Sequence, residues 1–141
     1  MTILCPIDFS AATEALVTYS AALAAGTRAE LRLLHVLEPQ LRTAPAPADD
    51  VALAQRLAHH REAALASGAR VTTAVVTGEA AAEIVAEARR HPVDIIVIGA
   101  HGQTGLTRFL MGSTAETVVR TAPCATLLVT PGCPQAYRQS A

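Results

Sequence analysis

Gly99, Gly102, Gly112 and Ser113 fall in one stretch, GAHGQTGLTRFLMGST, between an apolar run, DIIVIG, and a helical pattern, TAETVVRTA. Glycine lets another group come close to the backbone. Successive backbone N–H groups in such a loop form a concavity that suits an anion. The helix start adds free N–H donors and a partial positive charge. Ser113 and Thr114 bring hydroxyls, and Arg108 brings a charge midway along the loop. The chemistry implied is phosphate binding without lysine. An ordinary loop with a glycine before a helix explains the same residues equally well. The spacing is not G-x-G-x-x-G, so a dinucleotide is not indicated.

A second candidate is Asp8, in CPIDFS, where the first apolar run ends. Its carboxylate suits a ligand hydroxyl, and it suits a turn equally. His101 is placed either to meet a phosphate or to pack within the loop. Arg108 reads first as a solvated arginine and second as a phosphate contact. Glu116 lies in the first turn of the last helix, where a negative charge is favourable in any case. Asp94 stands at the start of its strand, away from these groups, and is a poor catalytic candidate.

The chain contains no lysine and no asparagine. A Schiff-base lysine, a P-loop and a kinase catalytic set are therefore excluded. Formal net charge is −1, which gives no electrostatic case for nucleic acid or an anionic membrane. No apolar run approaches the roughly 20 residues that span a bilayer. The first residues lack the basic start of a signal peptide, so a cytoplasmic protein is expected. Cys5, Cys124 and Cys133 form no C-x-x-C pair. The first two read as core side chains and Cys133 as an exposed thiol in the tail. His59 and His60 read as a solvated helix face, and no metal cluster is expected.

These groups need elements to position them. A chain of 141 residues is expected to form one domain, here residues 1–132 with a loose tail at 133–141. Half of it is apolar and very little is aromatic, so the core must be aliphatic. Strands are expected at 3–7, 30–36, 71–76, 93–98 and 125–130. Helices are expected from Ser10, as N-cap, to about Ala25 with Gly26 ending it, and over 51–67, 79–90 and 113–121. Ala15, Leu16, Tyr19 and Leu23 form the inward face of the first helix. Ala54, Leu57, Ala58 and Leu65 form that of the second. Residues 38–50, rich in Pro and Ala, read as a mobile loop. His35 reads as a satisfied core histidine. Strand–helix alternation implies an α/β fold, a doubly wound parallel sheet with helices on both faces. Ligands bind such sheets beyond the carboxyl ends of the strands, where strand order reverses.

Gly99-x2-Gly102-x9-Gly112-Ser113 resembles the nucleotide signature of the universal stress protein family, G-x2-G-x9-G-[ST]. CPIDFS, LLHVLEP, VDIIVIGAHG and APCATLLV resemble that family's first, second, fourth and fifth strands, so the likeness runs from about residue 2 to residue 131. The resemblance implies a five-stranded sheet in the order 3-2-1-4-5, with ATP at the switch point between strands one and four. It implies that Pro6, Ile7 and Asp8 line the adenosine end, Asp8 bonding the ribose, and that Val36 meets the adenine. Gly99, Gly102, Gly112 and Ser113 would surround the phosphates, with His101 in the same loop. Thr114 stands where many members carry valine, and its backbone N–H still serves. Magnesium would come with the triphosphate, held by its oxygens more than by the protein. A homodimer through strand Ala125–Thr130 is implied as well. The function that follows is an ATP-binding regulatory protein of the stress response. A slow ATP hydrolase and a dimeric interaction module without nucleotide are the alternatives. Hydrolysis has weak support, because Asp8 is the one carboxylate clearly at the ligand edge.

Overall fold

In a computed structural model, residues 1–39, 47–100 and 112–130 are described. Strand and helix alternate as β1 (Thr2–Pro6), α1 (Thr13–Thr27), β2 (Glu30–Leu37), α2 (Pro47–Ala66), β3 (Arg70–Thr77), α3 (Ala80–Arg90), β4 (Ile95–Gly99), α4 (Ser113–Thr121) and β5 (Ala125–Val129). All pairings are parallel, and the order is β3-β2-β1-β4-β5. Residues 40–46, 101–111 and 131–141, Cys133 among them, lie outside the described residues.

The sheet buries both faces, as its apolar runs require. Ile3, Cys5, Leu31, Leu33 and Val97 face α1 and α2. Leu4, Leu34, Ile96 and Ile98 face α3 and α4. The adjacent pair Leu33–Leu34 thus divides between the two layers, each side chain fully buried. Each such leucine contributes about 1.5–3 kcal/mol relative to exposure.

Helix α1 departs from its sequence pattern in three ways. Ser10 does not cap it. The Ser10 N–H donates to Asp8, the Thr13 N–H donates to the Ser10 carbonyl, and the helix begins at Thr13, behind an Ala12 with no side-chain cap bond. Gly26 does not end it. Arg28 takes the left-handed position (φ 57°), its N–H bonded to the carbonyls of Ala24 and Ala25. Burial of Ala24 and Ala29 fixes that exit. The buried stripe is Leu16, Val17, Ser20, Ala21 and Ala24, with Ala15 exposed and Tyr19 and Leu23 half-buried. Ser20 can be inside because its hydroxyl donates to Cys5 Sγ (3.3 Å).

Helix α2 begins at Pro47, inside the segment expected to be loop. Proline suits a first helical position, where its missing N–H has no partner to lose. Leu57 and Ala64 are buried, Leu65 is half-buried, and Ala54 and Ala58 are exposed. Contact with α1 on one side rather than symmetric burial selects that stripe. Glu79 caps α3, its carboxylate accepting from the Ala81 and Ala82 N–H groups.

Candidate functional site

The sheet splits at one place. β1 pairs with β2 as far as Pro6↔Leu34, and β4 with β5 as far as Gly99↔Val129. Between β1 and β4 the pairing covers Ile3↔Ile95 and Leu4↔Ile96. Beyond Leu4 the two strands lead into different loops, one toward α1 and one toward α4. A crevice between the carboxyl ends of β1 and β4 follows from that topology.

The β1 side of the crevice is a tight turn. Asp8 Oδ1 accepts from the Ser10 N–H (3.0 Å) and from the Thr13 hydroxyl (3.2 Å). Ile7 donates its N–H to Leu34 O (2.8 Å). Its carbonyl accepts from His35 Nδ1 (2.8 Å). A carbonyl only accepts, so the proton sits on Nδ1. The Ile7 side chain belongs to the α1/α2 core. Pro6 is buried, and Asp8 is half-exposed at the rim. Val36, on β2, packs toward the α3/α4 layer, the side from which α4 begins.

On the β4 side, Ala100 and Gly112 meet. Ala100 N–H donates to Val129 O (3.0 Å), and Gly112 N–H donates to Ala100 O (2.6 Å). The chain therefore leaves β4 and returns to the same point before α4 starts. Gly112 is the N-cap residue, with φ −62°, ψ 152° and no side-chain cap bond. The first intrahelical bond runs from Glu116 N–H to Gly112 O (3.0 Å). The N–H groups of Ser113, Thr114 and Ala115 precede it and have no acceptor within the helix. Gly112's φ and ψ are open to any residue. Conformation does not demand a glycine there.

Of the residues singled out in the sequence, Pro6, Ile7, Asp8, Val36, Gly99, Gly112, Ser113 and Thr114 lie at the carboxyl edge of the sheet. His101, Gly102 and Arg108 lie outside the described residues. Asp94 is at the opposite edge, where its Oδ2 accepts from the Thr2 N–H (2.8 Å).

Sequence reasoning missed a cluster behind the Asp8 turn. Phe9 is left-handed (φ 59°). Its ring lies 4.5 Å from the His35 ring and 5.8 Å from that of His60, stacked at 20° on the latter. The Arg56 guanidinium sits 4.8 Å from the Phe9 centroid, within cation–π reach. Phe9, Arg56 and His60, with Ser10, Glu14 and His59, line a groove of about 490 Å³ between α1 and α2. His60 is thus half-buried rather than solvated, while His59 is exposed. Burial lowers the His60 pKa; the neighbouring His59 and Arg56 charges lower it too, and Glu14 opposes them. The available signal was the scarcity of aromatics: one of only four in the chain, Phe9, directly follows Asp8. Among the described residues no group of acidic, histidine and cysteine side chains could hold a metal.

A doubly wound α/β domain with a split at its switch point is the class this architecture defines. The chain belongs to the universal stress protein family, whose model matches residues 1–130. Universal stress protein MJ0531 of Methanocaldococcus jannaschii is 44% identical over 62 residues, which are 44% of this chain and 36% of that protein. YxiE of Bacillus subtilis is 33% identical over 73 residues, 52% of this chain and 49% of that one. The matched stretches thus span about a third to a half of these relatives. Solved structures align over nearly the whole chain. UspA from Lactobacillus plantarum superimposes with a TM-score of 0.76 at 27% identity, covering 92% of this chain and 97% of that one. A universal stress protein in complex with cAMP gives 0.75 at 23% identity, with 92% and 96% covered. One from Archaeoglobus fulgidus in complex with dAMP gives 0.72 at 23%, with 91% and 96% covered.

Proposed function

We propose that this protein binds ATP at the β1/β4 crevice and acts as a nucleotide-responsive regulatory protein of the stress response. The observation that carries this reading is Gly112. It is a glycine in a conformation that needs none, ahead of three N–H groups with no helical acceptor, at the split in the sheet. A missing side chain there leaves bare backbone for an anion to approach. Family structures that hold cAMP and dAMP support an adenine nucleotide as the ligand.

In this reading Pro6, Asp8 and Val36 meet the nucleoside, with Asp8 on the ribose. Gly99, His101, Gly102, Arg108, Gly112, Ser113 and Thr114 surround the phosphates. Ile7 contributes backbone, since its side chain belongs to the core. Magnesium accompanies the triphosphate and supplies charge neutralisation when bound. Occupancy biases partner binding only through contacts that differ between the two states. The protein works as a homodimer through β5, in the cytoplasm, and hydrolyses ATP slowly at most.

Gly112→Val tests the site. Its backbone conformation accepts valine, so the fold should survive while the new side chain covers the N–H groups. Calorimetric titration of ATP with magnesium should show binding in the unaltered protein and none in the variant. Equal affinity in both would remove α4's N-terminus from the site.

A further inference from the structure

The two carbonyls that flank Asp8 are each held by a side chain from a different element. Ile7 O accepts from His35 Nδ1 of β2 (2.8 Å), and Phe9 O accepts from Arg56 Nη2 of α2 (3.4 Å). Between them the Phe9 ring is enclosed by the His35 and His60 rings, with the Arg56 guanidinium over it. Phe9 itself is left-handed. A bulky residue seldom adopts that conformation, and it persists only where its surroundings impose it. The turn that presents Asp8 is therefore not held by its own sequence alone.

We propose that His35 and Arg56 are positioning residues for the nucleotide site, clamping the Ile7–Asp8–Phe9 turn through its two carbonyls and the Phe9 ring. The inference rests on the ATP-binding reading above. Neither side chain need touch the ligand. His35 acts from inside the sheet, and Arg56 acts from α2, across the groove. Helix α2 is thereby connected to the Asp8 turn through Phe9.

The variants are His35→Leu, which cannot donate, His35→Gln, which can, Arg56→Ala and Arg56→Lys. Two measurements are made on each full chain. The first, without ligand, is amide hydrogen exchange at Ser10, whose N–H is held by Asp8. The second is ATP affinity by calorimetry. His35→Leu and Arg56→Ala should speed Ser10 exchange and weaken ATP by about tenfold, the loss of roughly one hydrogen bond. Exchange at Ile96 in the sheet centre should stay unchanged. His35→Gln should restore both readouts to within about twofold. Arg56→Lys keeps the charge but loses the planar, delocalised guanidinium, and should fall between. A purely structural role would lower exchange protection everywhere and would not be rescued selectively. If the unaltered protein fails to bind ATP, the functional reading falls and this inference with it. If ATP binds equally to all variants, the clamp alone is overturned. Should His35→Leu not fold, the Arg56 pair decides the matter.

Discussion

Arg32 of β2 donates through Nε–H to Glu87 Oε2 of α3 across 2.6 Å, and Glu87 is only 2% exposed. Arg90 donates to Oε1 of the same carboxylate at 2.9 Å, and His91 Nε2 lies 3.6 Å from Oε2. Burial by itself would raise the Glu87 pKa. Hydrogen bonds from Arg90 and Arg32, then the charges of Arg32 and His91, outweigh it and hold the carboxyl below its usual range. The ion pair ties α3 to the sheet on the face opposite α1 and α2.

Glu87→Ala leaves Arg32 without that partner and should destabilise the fold by about 3–5 kcal/mol. The pH dependence has a definite sign. Glu87 is ionised in the fold where the unfolded chain would protonate it. Its contribution is complete above the ordinary glutamate pKa of about 4.3 and is lost as pH falls through the lower folded value. Urea unfolding of the parent and Glu87→Gln, from about pH 7 to about pH 3, checks this. The gap between the two should narrow toward acid; a constant gap would contradict the linkage.

Asp8 has two duties that substitution separates. Asp8→Ala removes the acceptor for Ser10 and Thr13 and should cost about 1–2 kcal/mol. Asp8→Asn keeps an acceptor oxygen and should stay within about 0.5 kcal/mol of the parent. ATP affinity should fall by at least about tenfold in Asp8→Ala and by less in Asp8→Asn. Thermal melts and calorimetry on the same samples give both answers.

The Cys5 thiol is fully buried, and burial pushes its pKa up to about 12 against a lowering hydrogen bond from Ser20. The thiolate is the reactive form. Native protein at mildly alkaline pH should leave Cys5 unlabelled by a thiol reagent, and denatured protein should label it fully. Peptide mass spectrometry reads this directly. Because the folded pKa is raised, the thiol's contribution is whole below the ordinary value of about 8.5 and declines as pH rises above it.

β5 is an edge strand with Leu127 exposed. If the proposed homodimer forms there, Leu127→Arg should yield a folded monomer, since charge on an edge opposes strand pairing. Sedimentation velocity reports the mass and circular dichroism the fold. An unchanged dimer would place the interface elsewhere.

Element order and both sheet layers were legible in the sequence. Aliphatic runs of strand length alternating with helical patterns allow few arrangements, and right-handed crossovers select among them. The Leu33–Leu34 pair announced burial on both faces, and the glycine spacing marked the loop after β4. Tertiary structure decided the rest. Which helix stripe faces inward depended on contacts such as Ser20 with Cys5, which local periodicity does not encode. Where α1 begins depended on the Asp8 turn, whose carboxylate accepts from the Ser10 N–H and the Thr13 hydroxyl. The pairing of Glu87 with Arg32, 55 positions away, and the enclosure of Phe9 by His35, Arg56 and His60 join residues that only the folded sheet brings together. A charge or an aromatic ring carries no local sign of its distant partner, so these relationships exist only once the layers have packed.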